Sequence, residues 1–187
     1  HNMGKRSNFV RFDRDYYTTP IEGFTPLLPH IMGKIERFAE PCAGNGALID
    51  HIERHNFFAP ETHNPVCVYA SDIEPQRKDI IKKNAFHLTK HDAVGAEIFI
   101  TNPPWDRSIL HPLIFHLTSF KPAWLLFDAD WMHTKQSAIF QKMLKKVVSV
   151  GRIKWIKDSK GTGKDNCCWY LFDKRFNGKT EFYGRTE

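Results

Sequence analysis

Six short apolar runs, most of them separated by segments of helical length, restrict this chain to a layered sheet with largely parallel pairing. The runs fall at 35–41, 65–72, 96–102, 123–130, 151–158 and 167–173. Between them the spacing predicts a helix over 47–55, with Leu48, Ile49 and Ile52 on one side, and a second over 75–87. A third is predicted over 134–147, with Ile139, Phe140, Met143, Leu144 and Val147 on one face. The last two runs are joined by "SKGTGKDN", too short for a crossover helix, so they should pair antiparallel as a C-terminal hairpin. No repeat, low-complexity tract or linker interrupts the pattern. The expectation is a single α/β domain over residues 1–187, with 1–14 flexible and the His1-Asn2 pair ahead of Met3 an appended remnant.

Composition limits the functional classes. No apolar run approaches membrane-spanning length, and the polar start "HNMGKRSNFVRFDRD" lacks the apolar stretch of a secretory leader. The four cysteines, at 42, 67, 167 and 168, have no disulfide-framework spacing and read as buried reduced thiols. A cytoplasmic protein without a membrane partner is expected, in a bacterial or phage-infected cell. Net charge is +6, and residues 142–164 carry eight basic side chains against the single acid Asp158. Lys5, Arg6, Arg11 and Arg14 form a smaller cluster. Such a distribution suits a surface that tracks phosphates.

The first strand runs into "EPCAGNGAL", residues 40–48, and then a helix, the place where open parallel sheets bind ligands. Gly44 and Gly46 let the backbone approach a ligand closely. Glu40 at that mouth suits an ammonium or hydroxyls and repels phosphate. The turn lacks the third glycine of the dinucleotide fingerprint, and "GTGK" at 161–164 fails as a P-loop. Asp72, directly after the second strand, can accept both hydroxyls of a ribose, and Asp92 in "KHDAV" precedes the third. Glu40, Asp72 and Asp92 together outline a site for a nucleoside that carries an ammonium and no phosphate, which S-adenosylmethionine satisfies. A helix N-cap for Asp72 and a turn for Asp92 are the competing structural roles.

The elements "YTTP" (17–20), "EPCAGNG" (40–46), "SDIEP" (71–75), "HDA" (91–93) and "NPPW" (102–105) occur in an order that resembles the class I S-adenosylmethionine-dependent methyltransferases. Within them the order resembles the γ-type and phage-type DNA adenine-N6 methyltransferases. The resemblance implies a Rossmann-like, mostly parallel sheet with an antiparallel C-terminal hairpin strand. It implies that Glu40, Pro41, Ala43 and the Gly44–Gly46 backbone hold the methionine part of the cofactor. Asp72 would bind the ribose, Ile73 would pack on the cofactor adenine, and Asp92 with Ala93 would meet its amino group. Tyr17, Thr19 and Pro20 would complete the cofactor site together with Asn102. The implied reaction is DNA methylation giving N6-methyladenine.

Chemistry gives "NPPW" its weight. Two consecutive prolines cannot extend a ladder, so the strand ends in a stiff elbow. The exocyclic amine of adenine is a poor nucleophile because its lone pair is delocalised. The Asn102 side-chain oxygen and the Pro103 carbonyl can accept its two N–H bonds and stabilise the positive charge that grows on nitrogen. Pro103 and Pro104 hold these acceptors rigidly. Trp105 offers a face for base stacking, a contact worth about 1–3 kcal/mol in single-strand binders. The DNA would present a flipped or already unpaired base. Lys154, Lys157, Lys160 and Lys164, on and beside the 160–166 loop, are the expected backbone contacts.

Weaker features receive plainer readings. His51 and His55 are spaced i, i+4, but "HIERH" is not HExxH and lacks a third ligand, so a solvated helix face is expected and no metal. Asp128, Asp130 and Trp131 in "FDADW" read as pocket border or ordinary rim. Only 82 residues (187 less 105) follow Trp105, which leads to an expectation of no separate target-recognition domain and of low or short sequence specificity. The alternatives are an RNA adenine-N6 methyltransferase, which shares the catalytic element, and a non-catalytic nucleic-acid-binding partner subunit.

Overall fold

A strand of four residues, β1 (Arg37–Glu40), sits between β2 (Val66–Asp72) and β4 (Ile98–Thr101), parallel to both. The computed structural model describes residues 18–55, 63–155 and 165–186. Within these, one eight-stranded sheet runs in the order β3-β2-β1-β4-β5-β7-β6-β8, with β3 at Ile81–Lys82, β5 at Ala123–Asp128, β6 at Leu144–Arg152, β7 at Asn166–Phe172 and β8 at Glu181–Tyr183. Pairing is parallel except that β7 lies antiparallel between β5 and β6. The strand order reverses between β1 and β4, and at such a switch point an open sheet leaves a crevice beyond its carboxyl ends.

Both faces of the sheet are covered. On one, α1 (Ile21–Phe24), the 3-10 turn Thr25–Leu27, α2 (Leu28–Ile31) and α3 (Ala47–Arg54) bury Phe24, Leu27, Ile31, Leu48, Ile49 and Ile52 against Phe38, Ile100, Trp124 and Leu126. On the other, α4 (Arg107–Thr118) buries Leu110, Leu113, Ile114 and Leu117, one helical stripe, against Phe99, Leu125 and Phe127. Each such side chain contributes roughly 1.5–3 kcal/mol of burial. The Trp169 indole N–H donates to the Gly23 carbonyl at 2.8 Å, which ties the N-terminal helices to β7.

Three expectations need correction. Residues 75–87 form no α-helix: turns lead into β3, and a 3-10 turn follows at Ala85–His87. Ile80 is buried there while Ile81 is half exposed, so the segment has one apolar anchor and no stripe to dock. Residues 134–147 likewise give a 3-10 segment, Lys135–Met143, and then β6, because Val147, Val148 and Val150 are β-branched and pack on the sheet. The strand expected at 151–158 is therefore β6, displaced toward the N-terminus, and residues 156–164 lie outside the described residues. The flexibility expected of residues 1–14 also lies outside them. All four cysteines are free thiols, with Cys167 and Cys168 buried on opposite faces of β7.

Candidate active site

Glu40 is the last residue of β1 and is almost completely buried. Its Oε1 accepts from the Cys42 backbone N–H at 2.9 Å. Burial pushes the carboxyl up to about 8; the Thr101 hydroxyl and the Cys42 N–H offset part of that, and the nearby Asp72 charge adds to it. The Thr101 hydroxyl of β4 stands by the Glu40 carboxyl, and the buried Ser71 hydroxyl of β2, on the other side of β1, makes no hydrogen bond among the described residues.

The turn after Glu40 is shaped by its glycines. Gly44 and Gly46 have φ of 56° and 80°. The Asn45 side chain caps α3 through the Ala47 N–H at 3.1 Å, and its amide donates to the Thr18 hydroxyl at 2.8 Å. Asp72 closes the turn from β2, accepting from the Gly44 N–H at 3.1 Å and the Glu74 N–H at 2.8 Å. Pro41 and Ala43 are buried behind it, while Ile73 is 40% exposed at the strand end. A Cβ on Gly46 would meet the Arg77 guanidinium at 2.3 Å, where Arg77 is held by Asp50 and Asp79. Gly46→Ala is expected to destabilise the protein by about 2 kcal/mol, lowering Tm by roughly 4–8 °C in a thermal melt. Adding Arg77→Ala should recover the steric part of that loss and leave the cost of the left-handed backbone.

Asp92 and Ala93 lie farther along. Lys83 binds both Asp92 oxygens at 3.1 Å, and the Thr89 N–H donates to one of them at 2.8 Å. The Thr89 N–H first, then the Lys83 ammonium, hold this carboxyl below the usual range. Ala93 is buried with φ of 57°. The polar group directly after β3 is Asn84, one residue beyond Lys83, whose N–H extends the parallel ladder to the Asp72 carbonyl at 2.9 Å. Asn84 was not foreseen from sequence because β3 itself was not.

Asn102 follows β4 on the other side of the switch point. Its Oδ1 accepts from the Trp105 indole N–H at 3.0 Å, and its Nδ2 donates to the Thr19 hydroxyl at 3.4 Å. The same indole N–H is shared with the Leu126 carbonyl at 3.0 Å, and the Trp105 ring meets Trp155 edge-on at 5.5 Å. Pro103 is buried and Pro104 half-buried. The elbow therefore fixes the amide with one Oδ1 lone pair already used. Thr19 and Pro20 are buried, and the Thr19 carbonyl accepts from His51 at 2.9 Å. His51 also stacks on Phe24, so the solvated face expected for it is corrected: this histidine joins α3 to the N-terminal element. Tyr17, Lys157, Lys160 and Lys164 lie outside the described residues, and Lys154 is exposed.

Beyond the elbow, the Asp106 side chain caps α4 through the Ser108 N–H at 2.9 Å, and Arg107 forms a two-bond ion pair with Asp128 at 3.2 and 3.1 Å. Trp131 is completely buried, so it is core and not rim. Among the described residues, no group of three or more His, Cys, Asp or Glu could hold a metal, and no helix is long and apolar enough to cross a membrane.

No protein-family model and no curated protein matches the sequence. Solved structures do. The methyltransferase subunit of a type I restriction-modification system from Streptococcus thermophilus superposes with a TM-score of 0.56 at 9% identity, covering 90% of this chain and 47% of that one. A dimethyladenosine transferase from Plasmodium falciparum gives 0.51 at 18%, covering 84% and 62%. A protein named as a class I S-adenosylmethionine-dependent methyltransferase from Listeria monocytogenes gives 0.56 at 11%, covering 91% and 66%. The chain thus spans between about half and two thirds of the length of the structures it resembles. At these identities the likeness carries the fold: a Rossmann-like α/β sheet of the class I methyltransferase type, with β7 antiparallel between β5 and β6 and a further strand, β8, after it.

Proposed function

We propose that this chain is an S-adenosylmethionine-dependent methyltransferase acting on the exocyclic amine of adenine in DNA, with low or short sequence specificity. The observation that carries the reading is the Asn102–Trp105 elbow at the carboxyl end of β4, beside the β1 end that bears Glu40. The residues present fit the cofactor. Glu40 and the unpartnered Ser71 hydroxyl offer partners for an ammonium and its surroundings, and Asp72 retains lone pairs for a ribose. Ile73 leaves an apolar surface at the mouth for a purine ring, and Asn84 or Asp92 stands within the adjoining turns. When bound, the cofactor supplies an electrophilic methyl group.

The chain's own residues prepare the nucleophile. The free Oδ1 lone pair of Asn102 and the Pro103 carbonyl accept the two amine hydrogens, so the nitrogen lone pair is directed away from the ring. The elbow prolines prevent these acceptors from relaxing toward each other. Trp105 then has a second role besides stacking: it holds the amide with its oxygen toward the base. Trp105→Phe keeps an aromatic face and removes the indole donor. It is expected to lower the turnover number about tenfold with cofactor affinity unchanged, as measured by single-turnover kinetics and calorimetry.

The reading is tested by incubating the protein with methyl-labelled S-adenosylmethionine and, separately, duplex DNA, single-stranded DNA and tRNA. Label in DNA is expected. Label confined to RNA moves the substrate to the RNA alternative, and label in none of the three refutes a nucleic-acid substrate.

A further inference from the structure

A ledge of three cations without a side-chain partner among the described residues lies on two neighbouring chain segments at the carboxyl end of β6. At the end of β6, residues 152–155 alternate: Ile153 is buried, Trp155 packs edge-on against Trp105, and Arg152 and Lys154 are exposed. Period-two residues on extended chain stand about 6.6 Å apart, near the separation of successive phosphates along a nucleic-acid strand. The third cation comes from the C-terminal segment. β8 pairs parallel with β6, so the chain leaving it reaches the same end of the sheet, and Arg185 lies against Gly151. A Cβ on Gly151 would meet the Arg185 Nη1 at 2.8 Å, and Gly151 has φ of 84° where the β6–β7 register shifts. The glycine at 151 is what lets this guanidinium approach β6.

None of the Arg152, Lys154 and Arg185 side chains makes a hydrogen bond or ion pair with another described residue. Asp165 adjoins the Arg152 partner Asn166 without forming an ion pair with Arg152, and Glu181 lies at the opposite end of β8. Asp128, at the carboxyl end of β5, is held by Arg107. Among the described residues, no acid neutralises the positive charge here.

We infer that Arg152, Lys154 and Arg185 bind the phosphodiester backbone flanking the target base, with β8 added to the sheet to carry the third contact. The inference rests on the proposed nucleic-acid substrate and adds a surface to it. Arg152 and Lys154 alternate with Trp155 on the chain segment that packs against Trp105, which joins this surface to the elbow.

The test measures fluorescence anisotropy of labelled DNA and RNA oligonucleotides, single-stranded and duplex, across a salt series. The wild type is compared with the Arg152→Gln/Lys154→Gln/Arg185→Gln variant. Loss of three phosphate contacts should weaken binding at least tenfold and reduce the slope of log affinity against log salt by about two for single strands and nearly three for duplex. Turnover at saturating nucleic acid and affinity for S-adenosylhomocysteine should stay at wild-type values, which also reports folding. Gly151→Ala, which displaces Arg185 while keeping all charges, should lower the slope by about one. The DNA and RNA arms identify which backbone the ledge prefers. If the wild type methylates nucleic acid and the triple variant keeps its affinity and slope, the ledge is wrong and the proposed function stands. If the wild type binds neither DNA nor RNA, the ledge falls together with the reading beneath it.

Discussion

Asn102→Ala is expected to reduce the turnover number by about two to three orders of magnitude, the range for removing one preorganised polar partner of a developing charge. Cofactor affinity should change by no more than about threefold, because Glu40 and Asp72 hold their own backbone partners independently of Asn102. The loss has two sources. One acceptor for the amine hydrogens disappears, and the Trp105 indole N–H loses one of the two acceptors that it shares, the Leu126 carbonyl being the other. Asn102→Asp separates these. It preserves an acceptor oxygen for Trp105 and the amine but cannot donate to Thr19, and should retain more activity than the alanine variant. Equal losses in both would mean that the donor to Thr19, and not the oxygen, matters. Rapid-quench single-turnover measurement with saturating cofactor gives the comparison.

The second large effect is a pH dependence centred on Glu40. Its carboxyl titrates near 8 in the cofactor-free protein and near 4.5 as a free side chain, with burial the main cause. Between those values the unfolded chain has released this proton and the folded protein retains it. The folded state therefore binds more protons, and stability from this group falls as pH rises from about 4.5 to about 8, by roughly 4 kcal/mol over the window. Glu40→Gln should flatten that part of the denaturation profile. Binding of an ammonium reverses the preference, since the pair is favoured only when the carboxylate is charged. Cofactor binding at pH 7 should release close to one proton, seen as a buffer-dependent enthalpy in calorimetry, and affinity should rise toward pH 8. Glu40→Gln should bind about 10- to 100-fold more weakly and release none. Flat affinity between pH 6 and pH 8 with no proton release would show that Glu40 does not meet the ammonium.

Where periodicity and turn chemistry agreed, the sequence was readable. β1, the Gly-rich turn and α3 follow from a β-strand pattern, two glycines and an apolar stripe at 48, 49 and 52, and β7 from a nearly continuous apolar run. The antiparallel ending followed from linker length alone. The failures have local causes. In 75–87 a helical length of sequence lacked a second buried residue beside Ile80. In 134–152 overlapping helical and β patterns competed, and the valines of β6 won through contacts from distant strands. The helix α4 is punctuated by Pro112, which weakens its sequence signal, although that proline sits on an exposed face while Leu110, Leu113, Ile114 and Leu117 carry the docking stripe. β8 has three exposed residues and becomes a strand only because the edge of β6 is available to it.

At the site, residue types were legible and their partners were not. Glu40, Asp72 and Asn102 stand at strand ends on either side of the switch point. Nothing local reveals that His51 secures Thr19, 32 residues away in the chain, or that the indole gripping Asn102 from within the same elbow is also held by the Leu126 carbonyl of β5. Arg185 is the extreme case. It comes from a strand that sequence did not announce, against a glycine whose importance shows only when a side chain is built on it.

The central claim is that the elbow at 102–105 activates the exocyclic amine of adenine. The measurement that tests it most directly is mass spectrometry of nucleosides from DNA incubated with the protein and methyl-labelled S-adenosylmethionine, with Asn102→Ala alongside. The account predicts labelled N6-methyladenine as the product, falling by about two to three orders of magnitude in initial rate for the variant. Label on any other base or ring atom, or N6-methyladenine formed equally fast by the variant, would contradict it.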